Sequence, residues 1–266
     1  MKNLINFSIE SNYGSSITFL SSIGTLNNWP KDRYVPEQVI FDEGIAIGLG
    51  YGESKYVGER MLYAASKQTG LKTATVRSGQ IAGSRSSGSW NTNEWLPSII
   101  KSATTLKCLP TGDDVVAWLP VDYASQSVID ISKSISNSNN NENQVFSLVH
   151  PKPAKWSKLM EEFKKELNKD ITLVDYKTWL KTLESFENES NTSINLLNDV
   201  PSIKLKTFFD KSFISDSQRP FVEALGNPLL ETKRVCKTSE SLKNCESLNE
   251  NDVKIWIKYW KSQNFL

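Results

Sequence analysis

The sequence is poor in cysteine and histidine. Its 266 residues include three cysteines, Cys108, Cys236 and Cys245, and a single histidine, His150. Because the cysteines are odd in number and widely spaced, a disulfide framework is not expected, and a reducing compartment such as the cytoplasm is. With one histidine and no paired cysteines, a metal site built from His and Cys ligands is not expected either.

Long apolar runs and an excess of charge are also missing. No stretch of about 18 apolar residues is present that could span a membrane. The first residues are interrupted by Asn6, Ser8 and Glu10, so they lack the apolar core of a signal peptide. Lys and Arg number 31 against 30 Asp and Glu, a net charge of +1. This balance argues against a strongly basic nucleic-acid binder, and we expect neither nucleic acid nor a membrane as partner.

A strand, a long helix and a second strand follow one another in the first third of the chain. Residues 17–20 form an apolar, β-branched run that predicts a buried strand. Residues 50–68 follow a helical pattern that Gly70 closes, and residues 73–77 predict a second strand. This order predicts a βαβ unit with a parallel sheet.

The rest of the chain reads as mostly helical. Helices are predicted at 2–11, 95–106, 123–134, 156–167, 177–186 and 252–261, and a short strand at 145–149. Asp122 is a candidate N-cap for the helix that follows it. We therefore predict an α/β fold in two regions. Residues 1–134 would form a partial Rossmann-type core with an insertion at about 84–111, and residues 145–266 a mostly helical, substrate-binding region.

The segment from Tyr51 to Lys55 carries the clearest chemical signal. The two residues are four positions apart on a predicted helix, so their side chains share one face. A tyrosine hydroxyl is a poor acid–base group near neutral pH, but a nearby ammonium favours the phenolate and can donate hydrogen bonds to a ligand's hydroxyls. The spacing alone also fits a half-buried tyrosine beside a solvated lysine.

Two further segments lie where the predicted strands end. Ser21 and Ser22 follow the first strand, and the glycine-containing run 77–83 follows the second. Open parallel sheets bind ligands outside the carboxyl ends of their strands, so a serine hydroxyl there can orient a carbonyl next to Tyr51. The glycines permit close approach of a planar ligand to the backbone. Turn serines and an ordinary tight turn are the structural alternatives.

Seven segments together resemble a known family. They are 19–23, 50–55, 77–83, 90–97, 118–122, 150–156 and 256–260. With this spacing of Ser22, Tyr51 and Lys55, the sequence resembles the extended short-chain dehydrogenase/reductases. Within them it is similar to the thioester reductase domains of fungal nonribosomal-peptide-synthetase-like and aminoadipate-reductase-like enzymes. The resemblance covers nearly the whole chain. Segments 79–80 and 90–97 are fairly specific to this branch, whereas Tyr-x-x-x-Lys is common to the superfamily.

The resemblance implies an activity and a role for each site residue. It implies hydride transfer from NADPH to a phosphopantetheine thioester with release of an aldehyde, and a phosphopantetheinyl carrier-protein domain as partner. Tyr51 would protonate the developing oxyanion, Ser22, preferred to Ser21, would hydrogen-bond the same oxygen, and Lys55 would hold the nicotinamide ribose. The residues that would line the nicotinamide are Ser78, Gly79, Gln80 and Ile81.

One departure from the family concerns the phosphates of the cofactor. A Rossmann fold holds the pyrophosphate at a glycine-rich turn before a helix, and neither G-x-G-x-x-G nor G-x-x-G-x-x-G precedes Ser22. We therefore expect a C-terminal piece of a reductase whose nucleotide-binding half is missing, from a split gene, an incomplete gene model or a degenerate copy. We expect the piece alone not to bind NADPH usefully, and the missing half to be a possible partner.

Two other functions stay open on the sequence. A sugar-nucleotide epimerase or dehydratase of the same superfamily shares the Ser-Tyr-Lys set, and a non-catalytic remnant or partner-binding module fits the missing phosphate turn. Most of the eight tryptophans have the spacing of core residues. Trp90 and Trp95 are expected to differ, because they flank the Gly/Ser loop and could shape an acyl or pantetheine channel. His150 is expected to be structural or at the surface.

Overall fold

A computed structural model describes residues 1–167, 170–189, 194–212, 220–224 and 226–266. Its strands are β1 Ile17–Ser22, β2 Thr73–Ser78, β3 Ile81–Ala82, β4 Cys108–Thr111, β5 Val115–Val116, β6 Leu119–Pro120, β7 Gln144–Leu148, β8 Ala154–Lys155 and β9 Thr172–Asp175. Its longer helices are α1 Lys2–Glu10, α2 Gly50–Thr69, α3 Trp95–Leu106, α4 Val121–Asn137, α5 Trp156–Leu167, α6 Tyr176–Glu189 and α11 Glu250–Ser262. The shorter ones are α7 Ile194–Asp199, α8 Lys206–Ser212, α9 Lys233–Thr238 and α10 Glu240–Asn244, with 3-10 turns at Ile23–Leu26, Glu43–Ala46 and Pro201–Leu205.

The central sheet has three parallel strands in the order β1-β2-β7. The predicted βαβ unit is confirmed, since α2 connects the parallel neighbours β1 and β2. Gly70 ends α2 in the left-handed conformation, at φ 72°, where an L side chain would be strained. The two parallel strands start together and end together, with Ile17 opposite Thr73 and Ser22 opposite Ser78.

The predicted boundary between 134 and 145 does not separate the two regions. The strand assigned to the C-terminal region pairs with β2 and completes the central sheet. Two C-terminal helices, α9 and α10, also return to this sheet, where Val235 and Leu242 share a core with Val76 and Phe146. Residues from both ends of the chain thus build this part of the core. The apolar faces of α9 and α10 are buried against the sheet, as an amphipathic helix requires.

The insertion at 84–111 belongs to the larger, C-terminal core. α3, which begins and ends at the predicted residues, packs against the 3-10 turn Pro201–Leu205 and β4, and its apolar face belongs to the same core as residues of α5 and α11. Seven of the eight tryptophans lie in this core, namely Trp90, Trp95, Trp118, Trp156, Trp179, Trp256 and Trp260. The expectation that most tryptophans pack in the core is therefore confirmed.

Asp122 does not cap α4 as expected. The helix begins two residues earlier than predicted, at Val121, with Pro120 at the N-cap position. The Asp122 carboxylate instead accepts hydrogen bonds from the Ser84 hydroxyl, at 3.0 Å, and from the Arg85 N–H, at 2.5 Å. It therefore fixes the Gly/Ser loop to the start of the helix.

A buried ion pair ties α2 to the sheet. The Arg77 guanidinium on β2 contacts the Glu59 carboxylate on α2, with Nη2 at 2.7 Å from Oε2 and Nε at 3.1 Å from Oε1. Both residues are at least 95% buried. Ser21 of β1 donates to Glu59 Oε1 at 2.5 Å, and Arg77 donates to the Gln38 carbonyl at 3.2 Å. These bonds compensate both charges for the loss of water.

The N-terminal turn of α2 lies in unusually close contact with the turn after β1. A Cβ on Gly52 would lie 2.0 Å from the Gly24 carbonyl oxygen, so only glycine fits there. Gly58, further along the helix, lies against Phe19, whose ring would be 2.8 Å from such a Cβ. The two glycines let α2 approach β1 along most of its length.

His150 is a buried structural residue at the end of β7. Its Nδ1 accepts the Lys152 N–H at 3.0 Å, and its Nε2 lies 2.9 Å from the Glu246 carbonyl. This geometry uses the neutral ring. Burial, helped by the charge of Arg85, lowers the pKa of His150 from 6.5 to about 4.

No helix in the described ranges has the length and apolar character needed to cross a bilayer.

The lowered pKa predicts that His150 makes stability depend on pH. The unfolded chain takes up a proton on His150 at about pH 6.5, and the folded chain only at about 4. The stabilisation is complete above pH 6.5 and is lost as the pH falls towards 4, by on the order of 3 kcal/mol. Burial raises the pKa of Glu223 to about 7, so this carboxyl contributes a slope of opposite sign.

Because the two slopes have opposite sign, the contribution of His150 is measured as the difference in unfolding free energy between the parent and a variant that lacks the imidazole. Urea unfolding of the parent and of His150→Gln is compared between pH 4 and pH 7. We expect the gap in unfolding free energy to widen with pH over this window. A gap that is constant with pH would show that His150 does not titrate as described.

The close contact of α2 predicts different outcomes for two neighbouring glycines. Gly52→Ala forces the helix away from Gly24 and should cost about 1–3 kcal/mol of stability, or more if the backbone cannot shift. Gly50→Ala is the matched control, because nothing lies within 4 Å of a Cβ at that position. Chemical denaturation reports both. Equal stabilities of the two variants would contradict the docking described.

Candidate active site

Two hydroxyls lie side by side at the carboxyl end of the sheet. Ser22 ends β1, Ser78 ends β2, and the register places them opposite each other. Both are half-buried, and the Ser78 hydroxyl donates to the adjacent Gly79 carbonyl at 3.2 Å. This is the edge at which open parallel sheets bind ligands.

The structure separates the roles of Ser21 and Ser22. Ser21 is 3% exposed and its hydroxyl donates to Glu59, so it serves the buried ion pair. Ser22 has the opposite orientation, as successive residues of a strand do. Its Oγ accepts the Gly24 N–H at 3.1 Å, which fixes the side chain at the start of the 3-10 turn. This cap uses a lone pair of the oxygen and not its proton.

Tyr51 faces the same space as Ser22. A Cβ on Gly24 would lie 3.4 Å from Ser22 Oγ and 3.6 Å from Tyr51 Cδ1, so both side chains lie next to Gly24. Tyr51 is 63% exposed and can be reached from solvent. The close approach of Gly52 to Gly24 is what brings the tyrosine here, one residue before it on the helix.

Lys55 lies one helical turn after Tyr51, as the spacing predicted. Its Nζ is 5.7 Å from the centre of the Tyr51 ring and 5.1 Å from that of Phe19. It donates a hydrogen bond of 2.9 Å to the carbonyl of Leu20. A positive charge therefore lies near the phenol ring, on the face of α2 that carries Tyr51.

The turn after β2 holds the other predicted site residues. Gly79 lies so near Val149 that a Cβ would be 2.7 Å from its Cγ1, and its N–H donates to Leu148. Ser78 and Ile81 are half-buried. The Gln80 side chain is fully engaged, since Nε2 donates to Glu94 at 2.8 Å and Oε1 accepts from Trp95 at 2.7 Å. Only Gln80 among them thus has its side chain committed elsewhere in the protein.

Trp90 and Trp95 are 4% and 8% exposed, so they lie in the core with the other tryptophans. Trp90 donates to Glu94 Oε2 at 3.1 Å, and Trp95 to Gln80. They therefore brace the turn after β2 from behind. Both rings pack against other tryptophans, Trp90 against Trp256 and Trp95 against Trp118, so they are not exceptions to core packing. Their role in shaping an acyl or pantetheine channel stays a prediction.

Three residues that shape the site were not singled out from the sequence. Glu59 and Arg77 orient α2, and Gly52 lets it dock. Glu59 offered a signal, since it lies four residues after Lys55 and carries a charge on what becomes the buried face of the helix. The described residues contain no group of three or more His, Cys, Asp or Glu side chains arranged to hold a metal ion.

Comparison with known proteins supports the resemblance to thioester reductase domains. The family model NAD_binding_4, described as male sterility protein, matches residues 1–128, which include the whole Ser22–Tyr51–Lys55 set. The adenylate-forming reductase Nps10 of Heterobasidion annosum is 33% identical over 273 residues, which is 100% of this chain and 24% of that protein. The chain thus spans about a quarter of the length of that relative.

Solved structures share the fold. The terminal R domain from the myxalamid PKS-NRPS pathway superposes with a TM-score of 0.73 at 20% identity, over 94% of this chain and 59% of that one. A thiolation-reductase di-domain from an archaeal nonribosomal peptide synthetase gives a TM-score of 0.66 at 17% identity, over 100% of this chain and 52% of that one. The predicted α/β, Rossmann-type fold is confirmed. The chain belongs to the thioester reductase domains of the extended short-chain dehydrogenase/reductase kind, a family of nicotinamide-dependent oxidoreductases.

Proposed function

We propose that the chain carries the catalytic residues for NADPH-dependent reduction of a carrier-bound acyl or aminoacyl thioester to an aldehyde. The observation that carries this proposal is that Ser22 and Tyr51 both lie next to Gly24 at the sheet end, with the Lys55 ammonium one helical turn after Tyr51. The name of the adenylate-forming relative and the family model support it.

In this function Ser22 and Tyr51 act on one oxygen. The Ser22 hydroxyl donates to the thioester carbonyl, and Tyr51 protonates that oxygen as it gains negative charge. The carbon receives a hydride, giving a hemithioacetal, which then loses the thiol and leaves the aldehyde. One hydride and one proton thus convert one thioester to one aldehyde and one thiol.

The residues present fit the nicotinamide end of the cofactor. Reduced nicotinamide supplies the hydride when it is bound. In this function Lys55 donates to the hydroxyls of its ribose, and the half-buried turn of Ser78, Gly79 and Ile81 beside Ser22 lines the nicotinamide. The side chain of Gln80 is bonded to Glu94 and Trp95, so Gln80 would contact the nicotinamide through its backbone. We take NADP(H) in preference to NAD(H) from the family resemblance.

A carrier-protein domain is the partner that this chemistry needs. A thioester of phosphopantetheine reaches the site on a long arm, and the 63% exposure of Tyr51 leaves an approach from solvent. The architecture named for the archaeal di-domain, thiolation with reductase, supports such a partner. Trp90 and Trp95 would affect substrate binding indirectly. Their hydrogen bonds to Glu94 and Gln80 would hold the turn after β2 in place.

The catalytic role of Tyr51 predicts a large loss of turnover on removal of one hydroxyl. The assay uses a chimera of the Heterobasidion relative in which this chain replaces the segment it matches, with an acyl-pantetheine thioester and NADPH. Tyr51→Phe should lower kcat by roughly 10²- to 10⁴-fold, because a positioned acid is removed. Tyr63→Phe, on the same helix with its ring against Phe41, is the control and should keep its turnover. Near-parental turnover of Tyr51→Phe, with chemistry rate-limiting, would remove Tyr51 from the mechanism.

A further inference from the structure

The carboxylate of Glu94 lies beside the turn after β2. Its Oε2 accepts a hydrogen bond from Gln80 Nε2, at 2.8 Å, and another from the indole N–H of Trp90, at 3.1 Å. Gln80 comes two residues after Ser78, which lies opposite Ser22 in the sheet. Glu94 therefore lies one side chain away from the turn that the proposed function assigns to the nicotinamide.

These two bonds use only one oxygen of the carboxylate. The other oxygen, Oε1, accepts no hydrogen bond from the part of the chain that the structure describes, and it is not among the buried atoms. The Glu94 side chain as a whole is half-buried. Because the bonds to Oε2 hold the carboxylate, Oε1 has a fixed position at the surface beside the turn.

The negative charge of Glu94 forms no ion pair with any described residue. The nearest cations along the chain, Arg85 and Lys101, are bonded elsewhere. Arg85 pairs with Asp252, with Nε at 2.6 Å from Oδ1, and Lys101 donates to the carbonyl of Phe265 at 2.7 Å. The two donors that do reach Glu94 are a neutral amide and a neutral indole, so they leave its charge uncompensated.

Bracing of the turn does not require this charge. The side-chain oxygen of a glutamine has two lone pairs and would accept the same two hydrogen bonds from Gln80 and Trp90. A half-buried carboxylate also loses part of its hydration, at a greater cost than a neutral amide. The charge is therefore expected to act on a group from outside the chain, and a cationic hydrogen-bond donor complements it best.

We propose that Glu94 selects thioesters whose acyl group carries an ammonium, so that the substrate class is aminoacyl rather than plain acyl. The inference rests on the proposed function, which places the thioester carbonyl at Ser22 and Tyr51. With the carbonyl there, the acyl group extends along the turn after β2, and its ammonium donates to Oε1 of Glu94. Such a charge-assisted hydrogen bond is stronger than one between neutral groups.

Two pairs of pantetheine thioesters test the charge at matched shape. Alanyl is compared with isobutyryl, and ε-aminocaproyl with heptanoyl, so that within each pair an ammonium replaces a methyl group. The first pair places the ammonium next to the carbonyl and the second places it at the far end of the acyl chain. kcat/KM is measured with NADPH in the chimera described above. We expect the amino member of at least one pair to be preferred by roughly 10-fold. No preference in either pair would overturn the proposal and identify the substrate as a plain acyl group.

Glu94→Gln removes the charge and keeps an oxygen for Gln80 and Trp90. We expect kcat/KM for the preferred amino thioester to fall to that of its uncharged partner. Glu142→Gln is the matched control, because it removes a carboxylate that pairs with Lys67 at the opposite end of the sheet, and it should keep the preference. A preference that survives in Glu94→Gln would overturn the proposal. An equal loss for both members of a pair would show that Glu94 only holds the turn, and would overturn it too.

Binding of the corresponding pantetheine amides, in which nitrogen replaces the thioester sulfur, gives the same comparison without turnover. The amides are titrated into the chimera and into its Glu94→Gln variant by calorimetry. If the chimera reduces none of the thioesters, the proposed function fails, whereas tighter binding of an amino amide that is lost in Glu94→Gln still supports recognition of the ammonium. If the thioesters are reduced but both members of each pair react and bind equally, the proposed function stands and the role of Glu94 is overturned.

Discussion

The buried pair of Glu59 and Arg77 is the interaction on which the site depends. It joins the middle of α2 to the middle of the sheet, and Ser21 adds a bond from the neighbouring strand. Removing one partner of such a pair leaves an unpaired buried charge, at a cost of about 3–5 kcal/mol. Both charges have several hydrogen-bond partners, so the pair fixes the rotation of the helix about its axis as well as its distance from the sheet. That rotation decides which side chains of α2 face the strand ends.

Given this rotation, the positions of Ser22 and Tyr51 depend on two close contacts with Gly24. Gly52 brings the first turn of α2 onto Gly24, and Ser22 caps the 3-10 turn that contains Gly24. Tyr51 and Ser22 then both lie next to Gly24 through the packing of the fold alone, before any ligand is considered. Lys55 is held differently, by the edge of β1 rather than by the core. The two residues expected to share an oxygen are thus held by the packing of the fold, and the lysine is held through its hydrogen bond to the Leu20 carbonyl.

Much of this arrangement was predictable from the sequence, because local patterns determine it. The helix at 50–69 and its stop at Gly70, the strands on either side and the shared face of Tyr51 and Lys55 all follow from periodicity and turn chemistry. The choice of Ser22 over Ser21 rested on family resemblance, and the structure adds a reason, since Ser21 is bonded to a buried glutamate. The errors concern contacts between residues far apart in the chain. No local pattern shows that residues 144–148 join the central sheet, that Asp122 holds the Gly/Ser loop, or that Trp90 and Trp95 are covered.

The central claim is that Ser22 and Tyr51 act on the same oxygen, and a double-mutant cycle tests it most directly. kcat/KM for an acyl-pantetheine thioester is measured in the chimera for the parent, Ser22→Ala, Tyr51→Phe and the double variant. Residues that act as a unit are strongly non-additive. We expect the double variant to lose little more activity than Tyr51→Phe alone. Losses that multiply, so that each substitution costs the same factor whether or not the other is present, would show that the two hydroxyls act independently and would contradict the account.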